Sequence, residues 1–168
     1  MKVLIISADN FEDSELLVPY YRLKEEGIDV DIASMSSGKI KGKHGYEVEV
    51  DKSLDEVDPA EYDALILPGG KAPSLIRKEE NALKIASNFF ARERPVSAIC
   101  HGAQTLISAG VLKGRYATCY KSVAGEMKDA GAMYEDKEVI VDGNLVTSRR
   151  PSDLPAFMRE TLKLLKKS

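Results

Sequence analysis

The strongest constraint on this chain is a rhythm. Four short apolar runs, Val3–Ser7, Ile28–Ala33, Ala64–Leu67 and Val96–Ile99, alternate with amphipathic segments. Each run has the length of one strand, and apart from Asp29 and Asp31 in the second they have little polar character on either side, as expected of strands covered on both faces. After the first, Leu16, Tyr20 and Leu23 recur at i, i+4 and i+7 and predict a helix ended by Gly27. Pro19, inside that pattern, either kinks the helix or begins it. Asn81–Arg92 and Gly102–Ala109 predict two more helices, and Asp153–Lys167 a terminal one. The closing Lys163, Lys166 and Lys167 sit where helix-end carbonyls attract cations. Strand, helix and strand in this order predict an α/β fold around a mostly parallel sheet.

Two segments break the rhythm. Lys39–Val50 carries Gly42, Gly45 and alternating Tyr46, Val48 and Val50; in Val139–Thr147, Asp142 and Gly143 separate two apolar runs. Both predict antiparallel hairpins added to the core. A chain of 168 residues is expected to be one domain, 1–168.

Composition narrows the function. Lysine and arginine number 24 against 27 acidic residues, for a net charge of -3, and the basic residues are interleaved with carboxylates. That pattern argues against dedicated nucleic-acid binding. The opening MKVLIISADNFED turns acidic too soon for a secretory signal, and no apolar run reaches membrane-spanning length. Cys100 and Cys119 have neither metal nor CxxC spacing, so free thiols in a cytoplasmic setting are expected. With two histidines and no cluster at ligand spacing, no metal or other cofactor is expected.

The chemistry concentrates in VSAICHGAQT, residues 96–105. A parallel sheet presents ligands to the carboxyl ends of its strands, and the VSAI strand delivers Cys100 there. Ala98 and Gly102, two before and two after, suit a tight strand-to-helix turn that exposes a nucleophile. A helix N-terminus favours thiolate over thiol. The turn also aims the His101 N–H at a developing oxyanion, and Gly70, from the diglycine after the Ala64–Leu67 strand, is the expected second donor. A buried structural thiol is the alternative for Cys100, and a core or strand-end role is expected for Cys119. His44, between two glycines, reads as a loop residue.

FEDSELLVPYYRLKEEG, GKHGY, LILPGG, AICHG, ISAGVLKG and VDGNLVTSRRPSDLPAF together resemble the ThiJ/PfpI family, within it the PfpI-type intracellular proteases. The resemblance spans essentially the whole chain. It implies a flavodoxin-like three-layer sandwich related to class I glutamine amidotransferases. It also implies a nucleophile at Cys100 and an acidic partner at Glu12, which on residue chemistry alone equally begins a helix. A carboxyl beside sulfur helps only if it keeps its proton. His101 matches the family's catalytic histidine, whereas Ser74 occupies the position of the glutamate supplied by a neighbouring subunit. An uncharged serine can accept a hydrogen bond from imidazole but carries no charge to stabilise imidazolium. Tyr120 matches a tyrosine near the pocket, or is a strand-end residue. Arg149 and Arg150, before Pro151, are expected in ion pairs between subunits, with contact to an anionic substrate group as the alternative.

The resemblance thus implies a cysteine-dependent stress-response hydrolase. Its substrates would be reactive carbonyls or glycated protein, in a deglycase or glyoxalase-like reaction, and peptides in the manner of an intracellular protease. A homo-oligomer, dimer or hexamer, is implied. The rival expectation is a redox sensor or holdase-like protein in which Cys100 is oxidised without turnover.

Overall fold

The alternating runs become neighbouring strands of one sheet. The computed structural model describes residues 1–168, Met1–Ser168. In chain order the elements are β1 (Lys2–Ile6), α1 (Asp13–Glu25), β2 (Asp29–Ser34), β3 (Gly38–Lys41), β4 (Glu47–Val50) and β5 (Lys52–Ser53). There follow β6 (Ala64–Leu67), α2 (Ala72–Ile76), α3 (Glu80–Ala91), β7 (Val96–Ile99), α4 (Ala103–Ala109), β8 (Tyr116–Ala117) and α5 (Ala124–Asp129). The chain closes with β9 (Met133–Tyr134), β10 (Ile140–Asp142), β11 (Leu145–Ser148) and α6 (Leu154–Lys167).

Seven strands form the main sheet in the order β10-β11-β7-β6-β1-β2-β5, and every pairing but β10–β11 is parallel. All residues of β6, β7 and β11 are buried, which accounts for their continuous apolar or small composition. Helices α1 and α6 pack together on one face; α3 covers β6 on the other and packs on α4. This is the flavodoxin-like sandwich expected. No helix is long and apolar enough to cross a membrane.

Three local features differ from expectation. Helix α1 begins at Asp13 and continues through Pro19, so that residue neither starts nor ends it. The Lys39–Val50 hairpin forms a separate two-stranded sheet of β3 and β4. The second hairpin is part of the main sheet: β11 pairs in parallel with β7, Ser148 opposite Ile99, while β10 forms an antiparallel edge. Registers Leu67 to Ala98 and Ser148 to Ile99 bring the carboxyl ends of β6, β7 and β11 to one edge.

Candidate active site

Cys100 lies at that edge, where β7 ends. Its φ is +61°, a left-handed conformation that a β-carbon makes unfavourable and that neighbours must enforce. A short 3-10 turn, Cys100–Gly102, then leads into α4. Gly102 permits the turn because a side chain there would run into the Leu67 carbonyl. Gly69 is equally constrained: a β-carbon would stand 2.5 Å from Glu15 Oε1 and 2.8 Å from Cys100 Cβ. Gly70 adopts φ +80° and bridges to Phe11, while the Glu12 N–H donates to the Gly69 carbonyl at 3.2 Å. The loops after β1, β6 and β7 are thereby stitched around one sulfur. The backbone N–H groups of Gly70 and His101 both direct hydrogen bonds at it.

The acid against that sulfur is Glu15, three residues beyond the expected Glu12. Glu15 has no exposed surface, and its Oε1 accepts the Gly69 N–H at 2.9 Å. Its carboxyl lies beside the Cys100 thiol, and Oε2 has no hydrogen-bond partner. Burial first, then the charge of nearby Glu12, raises the Glu15 pKa to about 8, against the opposing pull of the Gly69 N–H. Glu15 therefore keeps its proton at neutral pH, where Oε2–H can donate to sulfur.

Burial and the Glu15 charge also push the Cys100 thiol up to about 12, outweighing the two amides. This corrects the expectation of a resting thiolate: a helix end lowers a thiol pKa only where desolvation is modest, and Cys100 is 7% exposed. The two groups do not hold two negative charges at once. Sulfur rests as thiol and must lose its proton on demand.

A base is in place for that step. Cys100 Sγ lies 3.3 Å from His101 Nδ1, and His101 Nε2 lies 3.4 Å from Ser122 Oγ. With Nε2–H donating to Ser122, Nδ1 is free to accept from sulfur. Burial, then the Lys43 ammonium, lowers the His101 pKa and keeps the imidazole neutral. Tyr120 flanks the ring, with centroids 4.9 Å apart and planes tilted by 32°. Ser74 does not reach the imidazole; its hydroxyl donates to the Lys71 carbonyl at 2.6 Å.

Glu12 lines the same cleft but serves a different partner. Its Oε2 lies 2.6 Å from Lys43 Nζ, and its Oε1 lies 3.6 Å from His44 Nε2. Both basic residues come from the turn between β3 and β4. Asp13 fixes that turn by accepting the N–H groups of His44 at 3.0 Å and Tyr46 at 3.1 Å. The Lys43 N–H donates to the Phe11 carbonyl at 2.9 Å. The separate hairpin thus carries a cation to the site.

These groups surround a cleft of about 560 Å³ walled by Glu12, Lys43, Gly70, Lys71, His101 and Tyr120, with Cys100 and Glu15 within it. Arg149 is absent from it: the guanidinium binds Asp153 at 3.0 Å and Asp136 at 2.9 Å within the chain. Arg150 is exposed. Cys119 is a free, fully buried thiol raised to about 12 by burial.

Sequence reasoning missed Glu15, Lys43 and Ser122. Glu15, Pro19 and Leu23 are four apart and all buried, so an acid on the inward stripe of α1 was the available signal. Lys43 and Ser122 arrive by tertiary folding, with no local mark.

The chain resembles known proteins over its whole length. The profile of the DJ-1/PfpI family matches residues 1–164. "Deglycase PfpI" of Pyrococcus furiosus is 57% identical over 166 residues, covering 99% of this chain and 100% of that one. "Protein/nucleic acid deglycase 2" of Escherichia coli is 47% identical, covering 98% and 97%. A crystal structure of a two-domain protein from Anabaena variabilis, with DJ-1/ThiJ/PfpI-like and ferritin-like domains, superposes with a TM-score of 0.96 at 36% identity. It matches over 98% of this chain and 48% of that one. Sequence and fold agree that this chain belongs to the DJ-1/PfpI family.

Proposed function

We propose that the chain is a cysteine-dependent hydrolase of reactive-carbonyl adducts, with methylglyoxal and its thiol or amine adducts as the substrate class. The carrying observation is the 3.3 Å approach of Cys100 Sγ to a neutral His101 Nδ1, beneath two converging amides. The names of its relatives support the same reading.

Attack forms an Sγ–C bond at the aldehyde carbon as the thiol proton passes to Nδ1. The carbonyl oxygen becomes an alkoxide facing the Gly70 and His101 N–H groups. From a preformed adduct, Sγ exchanges with the carrier, which departs as free thiol or amine. A hydrogen then moves from the aldehyde carbon to the neighbouring ketone carbon as a proton, through an enediolate, giving a lactoyl thioester. Water cleaves the thioester and sulfur regains its proton. The sum is methylglyoxal plus water to lactate: one carbon is oxidised, its neighbour reduced, and no outside oxidant is consumed.

Glu15 assists by donating to sulfur as it becomes anionic and by adding no second charge. Peptide hydrolysis is the weaker reading, because Ser74, which carries no charge, occupies the position of the glutamate that would complete the triad from a neighbouring subunit.

The test is lactate formation from methylglyoxal and from its N-acetylcysteine adduct. Cys100→Ser should lower kcat/KM by at least about a hundredfold. Full turnover by that variant overturns the reading. Stoichiometric gain of two oxygens on Cys100 under peroxide, with no lactate formed by the unoxidised protein, would favour the sensor reading.

A further inference from the structure

The walls of the cleft carry an unbalanced charge. Two cations lie there, Lys43 and Lys71. Lys43 is matched by Glu12 at 2.6 Å, while Glu15 and His101 are held neutral at pH 7 by burial. Lys71 makes no ion pair, and its ammonium has no hydrogen-bond partner in the chain. It follows Gly70 directly, so it is one residue from an amide that faces sulfur.

Its backbone is fixed on both sides. The Lys71 N–H donates to the Asn10 carbonyl at 2.8 Å, and the Lys71 carbonyl accepts from the Ser74 N–H at 3.1 Å and Ser74 Oγ at 2.6 Å. Only the side chain is free to move, on an exposed residue at the rim. A fixed base carrying an unmatched ammonium is suited to meet an anion entering with the substrate. Lys43 is less suited, because an incoming anion would have to displace Glu12.

We propose that Lys71 makes this cleft selective for electrophiles that carry an anionic group, a carboxylate or a phosphate, a few ångströms from the carbon that sulfur attacks. On the hydrolase reading, on which its biological meaning rests, the substrates are adducts whose carrier is itself anionic. The group to be recognised sits beside the reacting carbon and leaves with the carrier.

Alkylation of Cys100 tests the selectivity without turnover. Iodoacetate and iodoacetamide differ chiefly in charge, and peptide mass spectrometry assigns the label to Cys100. Relative to a free cysteine peptide, the wild type should favour iodoacetate by about three- to tenfold, the size expected of one unmatched ammonium lining a partly hydrated cleft. Lys71→Met should remove that preference and Lys71→Glu reverse it. Raising salt should shrink the wild-type ratio. A ratio that is unchanged in Lys71→Met overturns the proposal.

Turnover then distinguishes the anion. Methylglyoxal adducts of N-acetylcysteine and its amide form one pair; those of guanosine 5′-phosphate and guanosine form the other. In Lys71→Met, KM should rise for the charged member of the relevant pair alone. If no adduct yields lactate while the alkylation ratio still depends on Lys71, the hydrolase reading fails and the anion selectivity stands.

Discussion

Replacing Glu15 by glutamine tests the protonated-acid argument most directly. The side chain has no exposed surface, and its pKa is raised from an ordinary 4.5 to about 8. Between those values the folded chain keeps a proton that the unfolded chain has released, so folding stability falls as pH rises. Each pH unit in the window costs about 1.4 kcal/mol. The accumulated loss from this group reaches about 3 kcal/mol at pH 7 and about 4 kcal/mol at pH 8, then levels off. Glutamine keeps the shape and can accept the Gly69 N–H while turning its amide toward sulfur, but it does not titrate. Urea unfolding followed by circular dichroism at pH 5, 7 and 8 should show nearly equal stabilities at pH 5. By pH 8 the variant should have gained about 3 kcal/mol over the wild type. Groups common to both proteins cancel in that difference. Parallel pH dependences would refute the claim that the acid folds with its proton. The variant should also alkylate at Cys100 more readily than the wild type above pH 8, since no carboxylate then opposes the thiolate.

The crowded turn and the hairpin anchor give two further tests. Gly102→Ala places a methyl group against the rigid Leu67 carbonyl; it should destabilise by about 1–3 kcal/mol in urea unfolding and slow Cys100 alkylation by shifting sulfur from the amides. Unchanged stability would mean that the turn is looser than described. Asp13→Ala removes the acceptor of two N–H groups, at about 1–3 kcal/mol, and should speed hydrogen exchange at His44 and Tyr46. Exchange at those amides as slow as in the wild type would show that another contact holds the turn.

What could be read from the sequence follows the range of the interactions concerned. The strand-to-helix turn was legible because Ala98, Cys100 and Gly102 lie within five residues and obey a local steric rule. Parallel pairing followed from continuous apolar runs such as Ala64–Leu67. The partnership of β11 with β7 was not legible, since a hairpin signal says that two strands meet and not what lies beyond the second. The acid was misplaced for an instructive reason. Glu12 stands just outside α1, and its side chain reaches out to Lys43, whereas one turn of helix carries Glu15 inward under Gly69. Nor does local sequence give the protonation of sulfur. It depends on burial, which is a property of the whole fold, and burial here outweighs the amides that the local motif supplied.

Strand β7 is interior to the sheet, bonded on both sides by β6 and β11. The Cys100 sulfur is therefore attached to backbone that exchanges its amides only when the entire domain opens, instead of to a segment that frays independently. Heat or denaturant should thus extinguish reactivity and cooperative structure in a single transition. A partly loosened, still reactive thiol would not be released to modify bystander proteins.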